Sequence, residues 1–376
     1  VLCHINAIDV DQPYWDKLRK MIDYARAYLR PDTRAPLIGD SDSGQAFPLV
    51  RRRGNDHAYL VALGATIFHE PRFKIEGANA PEELLWVLGQ QGLSDYAALP
   101  AGEAAESEAF PDAGTYVMRR DDLYLLFNAS GAGVNGRGSH GHNDALGIDV
   151  SACGSAFIVD PGSYIYTGDL KERQRFRSTA YHSTVEVDEV EQNTTHESAP
   201  FVIGDEAHPA VISWESGPER DVVIAEHAGY QRLPQPVIHR RTVRFEKRRR
   251  FWVVDDELSG AGTHDLAFRF HFAPELEASI RPDGTIGVCD KMNGARLLIV
   301  ANGLAAEPAL ESRFSSRDYG SKEASVSVCW AVRSALPVTA QFMLVPVGAD
   351  EDERERQQLI GDETNVAGRM KSVPPA

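Results

Sequence analysis

The sequence predicts an α+β chain in which a short helical portion leads into a large antiparallel β-sandwich. Two observations carry this. Apolar residues in the first hundred positions recur at helical spacing, and from about residue 114 many short runs alternate with period two between turns. With 376 residues, 43% of them hydrophobic, the chain has material for two domains with packed cores.

Residues 14–30 put Leu18, Ile22, Ala25 and Leu29 on one helical face, and Pro31 closes the run. His57–Phe68 and Pro81–Leu88 read the same way, the second with proline at a first helical position. Residues 1–92 are therefore a helical segment. Three helices of this size resemble the end of a larger helical array more than a complete domain. Beginning at Val1, the chain reads as a processed product or as the C-terminal part of something longer. Between the first two helices, Gly39-Asp-Ser-Asp-Ser-Gly44 is an acidic, turn-rich loop without the spacing or closing Glu of an EF-hand. It reads as a structural loop, with a place on an active-site rim as the alternative. Residues 93–113, rich in Ala, Glu, Ser and Pro, read as a linker.

The expected strands are 116–119, 123–127, 146–150, 156–159, 184–187, 222–225, 242–245, 251–255, 266–272, 296–300 and 326–330. Together they make residues 114–347 a sandwich. Lys247–Arg250 falls between two of them as a solvated hairpin turn, and residues 348–376 form a charged tail expected to fray.

Composition removes several function classes. No stretch approaches the roughly 18 apolar residues of a membrane span, and the N-terminus lacks a secretory-signal pattern. A net charge of −16 argues against nucleic acid as a partner. Locally, Arg137, Lys171, Arg173, Arg175 and Arg177 concentrate positive charge. Cys3, Cys153, Cys289 and Cys329 show no zinc spacing and read as packing residues, with a Cys289–Cys329 disulfide as the alternative.

Three segments carry the chemistry: His140-Gly-His142-Asn-Asp144, Val159-Asp-Pro-Gly-Ser-Tyr164-Ile-Tyr166, and Arg175-Phe-Arg177-Ser-Thr-Ala-Tyr-His182. A hairpin of 146–150 and 156–159 brings His142 and Asp160 to one rim, and a third antiparallel strand starting at His182 would bring that residue to it. Two histidines and one aspartate form a common zinc set with a fourth position open. Asn143 and Asp144 are candidates to fix an imidazole tautomer. His227, His239, His264 and His271 lie on separate strands and read as structural. Gly131–Gly138 reads as a flexible loop delivering His140, not as a phosphate loop.

The ordered set His-Gly-His-Asn-Asp-Ala-Leu (140–146), Val-Asp-Pro-Gly-Ser-Tyr (159–164), Tyr166-Thr-Gly-Asp169 and Phe-Arg-Ser-Thr-Ala-Tyr-His-Ser-Thr-Val-Glu-Val-Asp (176–188) with Gln192 resembles the heparinase II/III family of polysaccharide lyases. The resemblance covers chiefly residues 114 to about 345, and the helices before it resemble the end of the family's α/α toroid. It implies β-elimination on uronic-acid-containing polysaccharides such as heparan sulfate or alginate, in a cleft between toroid and sandwich. By motif, His142, Asp160 and His182 match its zinc ligands, His140 its active-site histidine, and Tyr166, or else Tyr164, its sandwich tyrosine. Arg177, Arg175, Tyr164 and Asn143 are then expected on the substrate side. The zinc would organise the cleft. An acidic polysaccharide is the expected partner, a homo-oligomer is left open, and the setting is periplasmic or secreted. The family's carboxylate neutraliser and tyrosine base belong to toroid positions upstream of these helices, and no motif assigns those roles to Tyr24, Tyr28 or His57. A noncatalytic carbohydrate-binding or degenerate lyase fragment is the alternative, and a zinc hydrolase a third class.

Overall fold

The computed structural model describes Cys3 and residues 6–42, 44, 48–133 and 138–358. The helical part contains α1 (Gln12–Tyr28), α2 (Ala58–Phe68) and α3 (Glu83–Ala98). Ala25, Leu29, Val61, Ala62, Ala65, Phe73, Leu84 and Tyr96 form their small core. α3 bends at Gly89, where the backbone leaves helical geometry, and then continues to Ala98. The expected linker therefore begins later than residue 93, because Leu93 and Tyr96 pack into the helical core.

The remainder is antiparallel β-structure in three sheets. The first holds β1 (Glu108–Phe110), β2 (Thr115–Arg120), β3 (Leu123–Asn128), β4 (Gly147–Ala152) and β5 (Ser155–Ile158), in that order. A four-stranded sheet runs β15 (Pro308–Asp318), β16 (Ser321–Ala335), β11 (Thr263–His271) and β6 (Val185–Val187). The largest, with eight strands, contains β7 (Ala210–Ser216), β8 (Arg220–His227), β9 (Val237–Glu246), β10 (Phe251–Gly260), β12 (Glu277–Ile280), β13 (Ile286–Cys289), β14 (Arg296–Asn302) and β17 (Val338–Val347). Its order is β12-β13-β14-β17-β10-β9-β8-β7.

Both smaller sheets pack on the eight-stranded one. Phe268, Phe270 and Trp330 meet Phe342 with ring centroids 5.0–5.8 Å apart, and Tyr116 meets Trp214 at 5.5 Å. A bridge between Ile158 and Phe272 joins the two smaller sheets, so they act as one layer of a sandwich.

β8 and β9 alternate buried and half-buried residues, as expected of a sheet with one covered face. β2, β3 and β4 are buried on both faces. Their inner side enters the sandwich core, while Val117, Tyr124 and Leu126 meet Tyr28 and Ile38 of the helical part. Tyr124 donates to the Tyr28 carbonyl at 2.7 Å, Arg119 donates to the carbonyls of Ala27 and Leu29, and Arg30 pairs with Asp149 at 3.3 Å. The helices are thus docked on the outer face of the first sheet. Tyr24 and Tyr28 are used in this packing, with Tyr28 Oη 2.7 Å from His57 Nδ1 and Tyr24 Oη 3.1 Å from Thr115 Oγ1.

Several expectations need correction. β6 pairs with β11 and not with β5, so the segment opened by His182 belongs to the four-stranded sheet. β17 was not expected, because Phe342–Val347 is buried without alternation at the centre of its sheet. All four cysteines are free, and Cys289 and Cys329 sit in different sheets, which removes the disulfide alternative. In the 247–250 turn Lys247 is buried and pairs with Asp221 at 2.8 Å. The charged tail does not fray at its start: Arg356 donates to the carbonyls of Pro346, Arg249 and Arg250, and Glu351 pairs with Arg250. Residues 359–376 lie outside the described residues, as do Arg137 and the middle of the 131–138 loop.

The sandwich interior holds an extended charged network. Arg241 Nε and Nη2 donate to the two oxygens of Asp256 at 2.7 and 2.9 Å, and His239 Nε2 is 2.7 Å from the same carboxylate. His239 Nδ1 is 3.2 Å from His227 Nε2. Arg241 Nη1 also donates to the carbonyls of Leu146 and Ser183, both at 2.7 Å. All of these side chains are buried. Burial opposes the charge of Asp256, but Arg241 and His239 outweigh it and hold the carboxyl down at about 2. An unfolded aspartate titrates near 3.9, so this stabilisation is present above about pH 4 and is lost as the pH falls through the folded value.

Removing one partner leaves the other charge buried and unpaired. Asp256→Ala is therefore expected to lower stability by about 3–5 kcal/mol, read as a shift in the urea midpoint at neutral pH. A midpoint within error of wild type would contradict the network's role.

Candidate functional site

Each of the three segments is positioned by a different device. The first leaves β3, turns at Gly138 and rejoins the sheet at Leu146, whose N–H donates to the Asn128 carbonyl at 2.8 Å. Asp160 follows β5 and closes a turn by accepting from Gly162 N–H at 2.9 Å. Gly162 has φ +78°, and a Cβ there would sit 2.1 Å from the Ser316 carbonyl oxygen, so only glycine lets this turn lie against β15. The third segment starts with helix α4 (Leu170–Phe176), capped by Asp169 accepting from Glu172 N–H at 3.1 Å. A single turn of 3-10 helix, Thr179–Tyr181, then presents His182.

His142, Asp160 and His182 come together with their ligand-capable atoms within 4.8 Å of one another. His142 Nδ1 is 3.3 Å from His182 Nε2, which is 3.5 Å from Asp160 Oδ2. The second nitrogen of each ring fixes its tautomer. His182 Nδ1 lies 2.7 Å from the Ser178 carbonyl, an acceptor only, so that nitrogen carries the proton. His142 Nε2 lies 3.0 Å from Asp40 Oδ1. Arg173 Nη1 is farther from this nitrogen, at 3.4 Å, and already donates to the Asp40 carboxylate. His142 Nε2 is accordingly the protonated nitrogen, donating to Asp40.

The consequence is electrostatic. Two bare imidazole lone pairs and the Asp160 carboxyl face one another in a buried pocket, and among the described residues no cationic side chain lies between them. That donor set suits a cation, and metal-binding histidines usually donate their outer ring nitrogens to a carboxylate or a backbone carbonyl in this way. Burial pushes the His182 imidazole down to about 3, with His142 adding to the shift, and burial likewise lowers His142. Both rings are thereby kept neutral, the form that binds metal. Burial and the nearby Asp144 push Asp160 well above the carboxylate range, the mark of an anionic position lacking a positive neighbour.

Asp40 is the residue the sequence left undecided. Gly39 adopts φ +64°, and a Cβ there would lie 2.8 Å from the His140 carbonyl oxygen, which itself accepts from Asp40 N–H at 2.9 Å. The loop thereby delivers Asp40 between His140, His142 and Arg173. His140 Nδ1 is 3.0 Å from Asp40 Oδ2, and Arg173 grips both carboxylate oxygens. Burial opposes the Asp40 charge, yet His142 and Arg173 hold its carboxyl below its ordinary value. The acidic run 39–44 was the available signal. What it lacked was a way to show the partner, 102 positions away.

His140 and Tyr166 occupy the exposed rim. The His140 side chain is 68% exposed, and Tyr166 Oη donates to Asp42 Oδ2 at 2.9 Å. Both rings touch Phe201, at 6.0 and 5.4 Å. Burial and the charges of Asp40 and Asp42 raise the Tyr166 pKa, keeping the phenol protonated at neutral pH.

Other expected site residues are differently employed. Arg177 is buried, and its guanidinium is taken by Gln174 and the carbonyls of Ala199, Pro200 and Val202. Asn143 is buried too, donating to Glu191 at 3.0 Å and accepting from Asn193 N–H at 2.8 Å. Neither faces a substrate, and both instead stitch loops together. Asn143 and Asp144 do not set the imidazole tautomers either, since Asp40 and the Ser178 carbonyl do. Arg175 is half-exposed and pairs with Glu172, while Tyr164 packs on Phe176 with Lys322 4.7 Å from its ring centroid.

Residues 102–357 match the family model described as heparinase II/III-like, C-terminal. Among solved structures, a heparinase III-BT4657 gene product aligns with TM-score 0.70 and 19% identity, over 93% of this chain and 50% of that one. A heparan sulfate lyase HepC from Pedobacter heparinus aligns with TM-score 0.69 and 20% identity, over 93% and 50%. The chain thus spans about half the length of these two solved structures. No curated protein matches it in sequence.

Forcing an L-residue into the left-handed conformation of Gly39 costs about 1–2 kcal/mol, and the added methyl displaces the His140 carbonyl. Gly39→Ala is expected to lower the melting temperature by several degrees, measured by circular dichroism. An unchanged melting temperature would show that the loop does not hold Asp40 in this way.

Proposed function

The chain belongs to the heparinase II/III-like C-terminal family, and from that premise we propose that it forms one wall of a polysaccharide lyase that cleaves uronic-acid-containing chains by β-elimination. The observation that carries this reading is the shared rim of His140 and Tyr166, two proton-transfer groups steered by Asp40 and Asp42. Heparan sulfate, after which a similar solved lyase is named, and alginate are the substrate classes proposed.

In the proposed reaction a base, by the family's pattern a tyrosine of the upstream toroid, takes the proton from C5, while His140, donating to Asp40 through Nδ1, turns Nε2 toward the sugar beside it. The C5–H electron pair becomes the C4–C5 double bond as the C4–O4 bond breaks. Tyr166, kept protonated by its surroundings, gives its proton to O4 as it leaves. No water is consumed. Arg175 and Lys322, which share Glu172, contribute positive charge beside this rim.

Zinc is the proposed metal for His142, Asp160 and His182, whose nitrogen and oxygen donors fit it. When bound, the ion supplies the positive charge this donor set lacks and locks the two histidine segments and the Asp160 turn into one rigid support. His142 then fixes Asp40, and Asp40 fixes His140. The proposed setting is periplasmic or secreted. Among the described residues no helix is long and apolar enough to cross a membrane.

A second reading, a module that binds acidic polysaccharide without cutting it, is favoured by one observation. Tyr24, Tyr28 and His57 are engaged in packing the helices and are not turned to the rim.

The lyase reading predicts C4–C5 unsaturated products, seen as rising ultraviolet absorbance when this chain, or a longer form of it, meets heparan sulfate or alginate. Tyr166→Phe is expected to lower kcat by about 100- to 10,000-fold with little change in KM. Binding with no absorbance change in either form would favour the second reading. For the metal, elemental analysis is expected to find one zinc per wild-type chain and none in His182→Ala. Equal zinc in both would exclude His182 as a ligand.

A further inference from the structure

The tip of the β15–β16 hairpin reaches across to the loop that carries Tyr166. Gly320 N–H donates to the Tyr164 carbonyl at 2.7 Å, and Tyr166 N–H to Tyr319 Oη at 3.4 Å. The Tyr319 ring lies 5.0 Å from that of Tyr166, yet the residue is 51% exposed. On the other side of Tyr166 come Phe201, 36% exposed, and then His140. His140, Phe201, Tyr166 and Tyr319 therefore form a row of rings along the rim.

Two members of this row have a structural task. Tyr166 and Phe201 cover the Arg173 guanidinium, with centroids 5.2 and 5.7 Å away, and so shield its ion pair with Asp40 from water. Among the described residues no guanidinium or ammonium lies over the Tyr319 ring. Tyr319 is anchored through its hydroxyl while much of its ring meets solvent, an arrangement that leaves apolar surface to be covered by a ligand. The C–H face of a pyranose ring is a fitting cover. Nearby, Glu172 pairs with both Arg175 and Lys322, and Lys322 lies 4.7 Å from the Tyr164 ring. An aromatic face with two cationic side chains close by suits an acidic sugar, with the Asp42 carboxylate held on the Tyr166 hydroxyl of the same rim.

We propose that Tyr319 is the stacking platform for the sugar residue adjoining the one held between His140 and Tyr166. The identity of that sugar as part of a uronate polymer rests on the lyase reading above. The hairpin tip would then set how the polymer enters the site, and its ring face would contribute to binding more than to the chemical step.

The test is calorimetric binding of a heparan sulfate tetrasaccharide and an alginate tetrasaccharide to the wild type, Tyr319→Ala and Tyr319→Phe, with melting temperature as the check on folding. Tyr319→Ala is expected to weaken binding of whichever oligosaccharide the wild type takes by about tenfold, the effect of uncovering part of one aromatic ring. Tyr319→Phe keeps the ring and is expected to bind within about twofold of wild type. Equal affinity of wild type and Tyr319→Ala would overturn the platform and leave the lyase reading standing. Wild type binding neither oligosaccharide would overturn both. A loss in Tyr319→Phe as large as in Tyr319→Ala would assign the effect to the hydroxyl's hold on Tyr166 and overturn the stacking role.

Discussion

The site depends on one buried guanidinium. Arg241 is tied to Asp256, which also bonds His239, in the middle of the sandwich, and its remaining donor nitrogen reaches the carbonyls of Leu146 and Ser183. Those carbonyls belong to the two segments that bear His142 and His182. An arginine can do this because its planar fork offers several donors in fixed directions. In a low-dielectric interior each bond is strong, and each unpaired group would be costly. Gln192 repeats the device, bonding both the N–H and the carbonyl of Ala145. The histidines are therefore aimed from beneath, by the core, before any ligand is considered.

From above, the helical part completes the arrangement. It docks on the first sheet through Tyr124, Arg119 and Arg30, and in doing so carries the Gly39–Asp42 loop to the rim of the sandwich. Asp40 there sets the His142 tautomer, orients His140 and neutralises Arg173, while Asp42 accepts from Tyr166. The candidate site is thus shared by the two parts of the chain, and the docking contacts are as much a condition of its geometry as the local turns. The aromatic cover over Arg173 has the same logic, since it keeps water from weakening the Asp40 ion pair.

Much of this was legible in the sequence where one local pattern decided the outcome. Helical spacing of Ile22, Ala25 and Leu29, and alternation in β8 and β9, follow from each element having one buried face. Legibility failed where a second partner covered the other face. β17 lost its pattern that way, whereas the later part of α3 was hidden by the bend at Gly89, which breaks the helical period. The convergence expected of His142, Asp160 and His182 is present in the geometry, but its route differs, because β6 pairs with β11 in another sheet. Arg177 and Asn143 look like surface polar residues in a motif, and only the fold reveals that carbonyls and side chains already occupy them. Asp40 was harder still, for its role comes entirely from residues at least 100 positions away.

What unites these observations is a cluster of acceptors, the donor set proposed above to hold zinc. It consists of two neutral imidazoles, each protonated on its outer nitrogen, and the Asp160 carboxyl, which burial pushes toward neutrality. The most direct measurement is zinc-edge X-ray absorption fine structure on the zinc-loaded protein. The account predicts two imidazole nitrogens and a carboxylate oxygen at about 2.0–2.2 Å. A spectrum showing sulfur ligands, or no imidazole scattering at all, would contradict it.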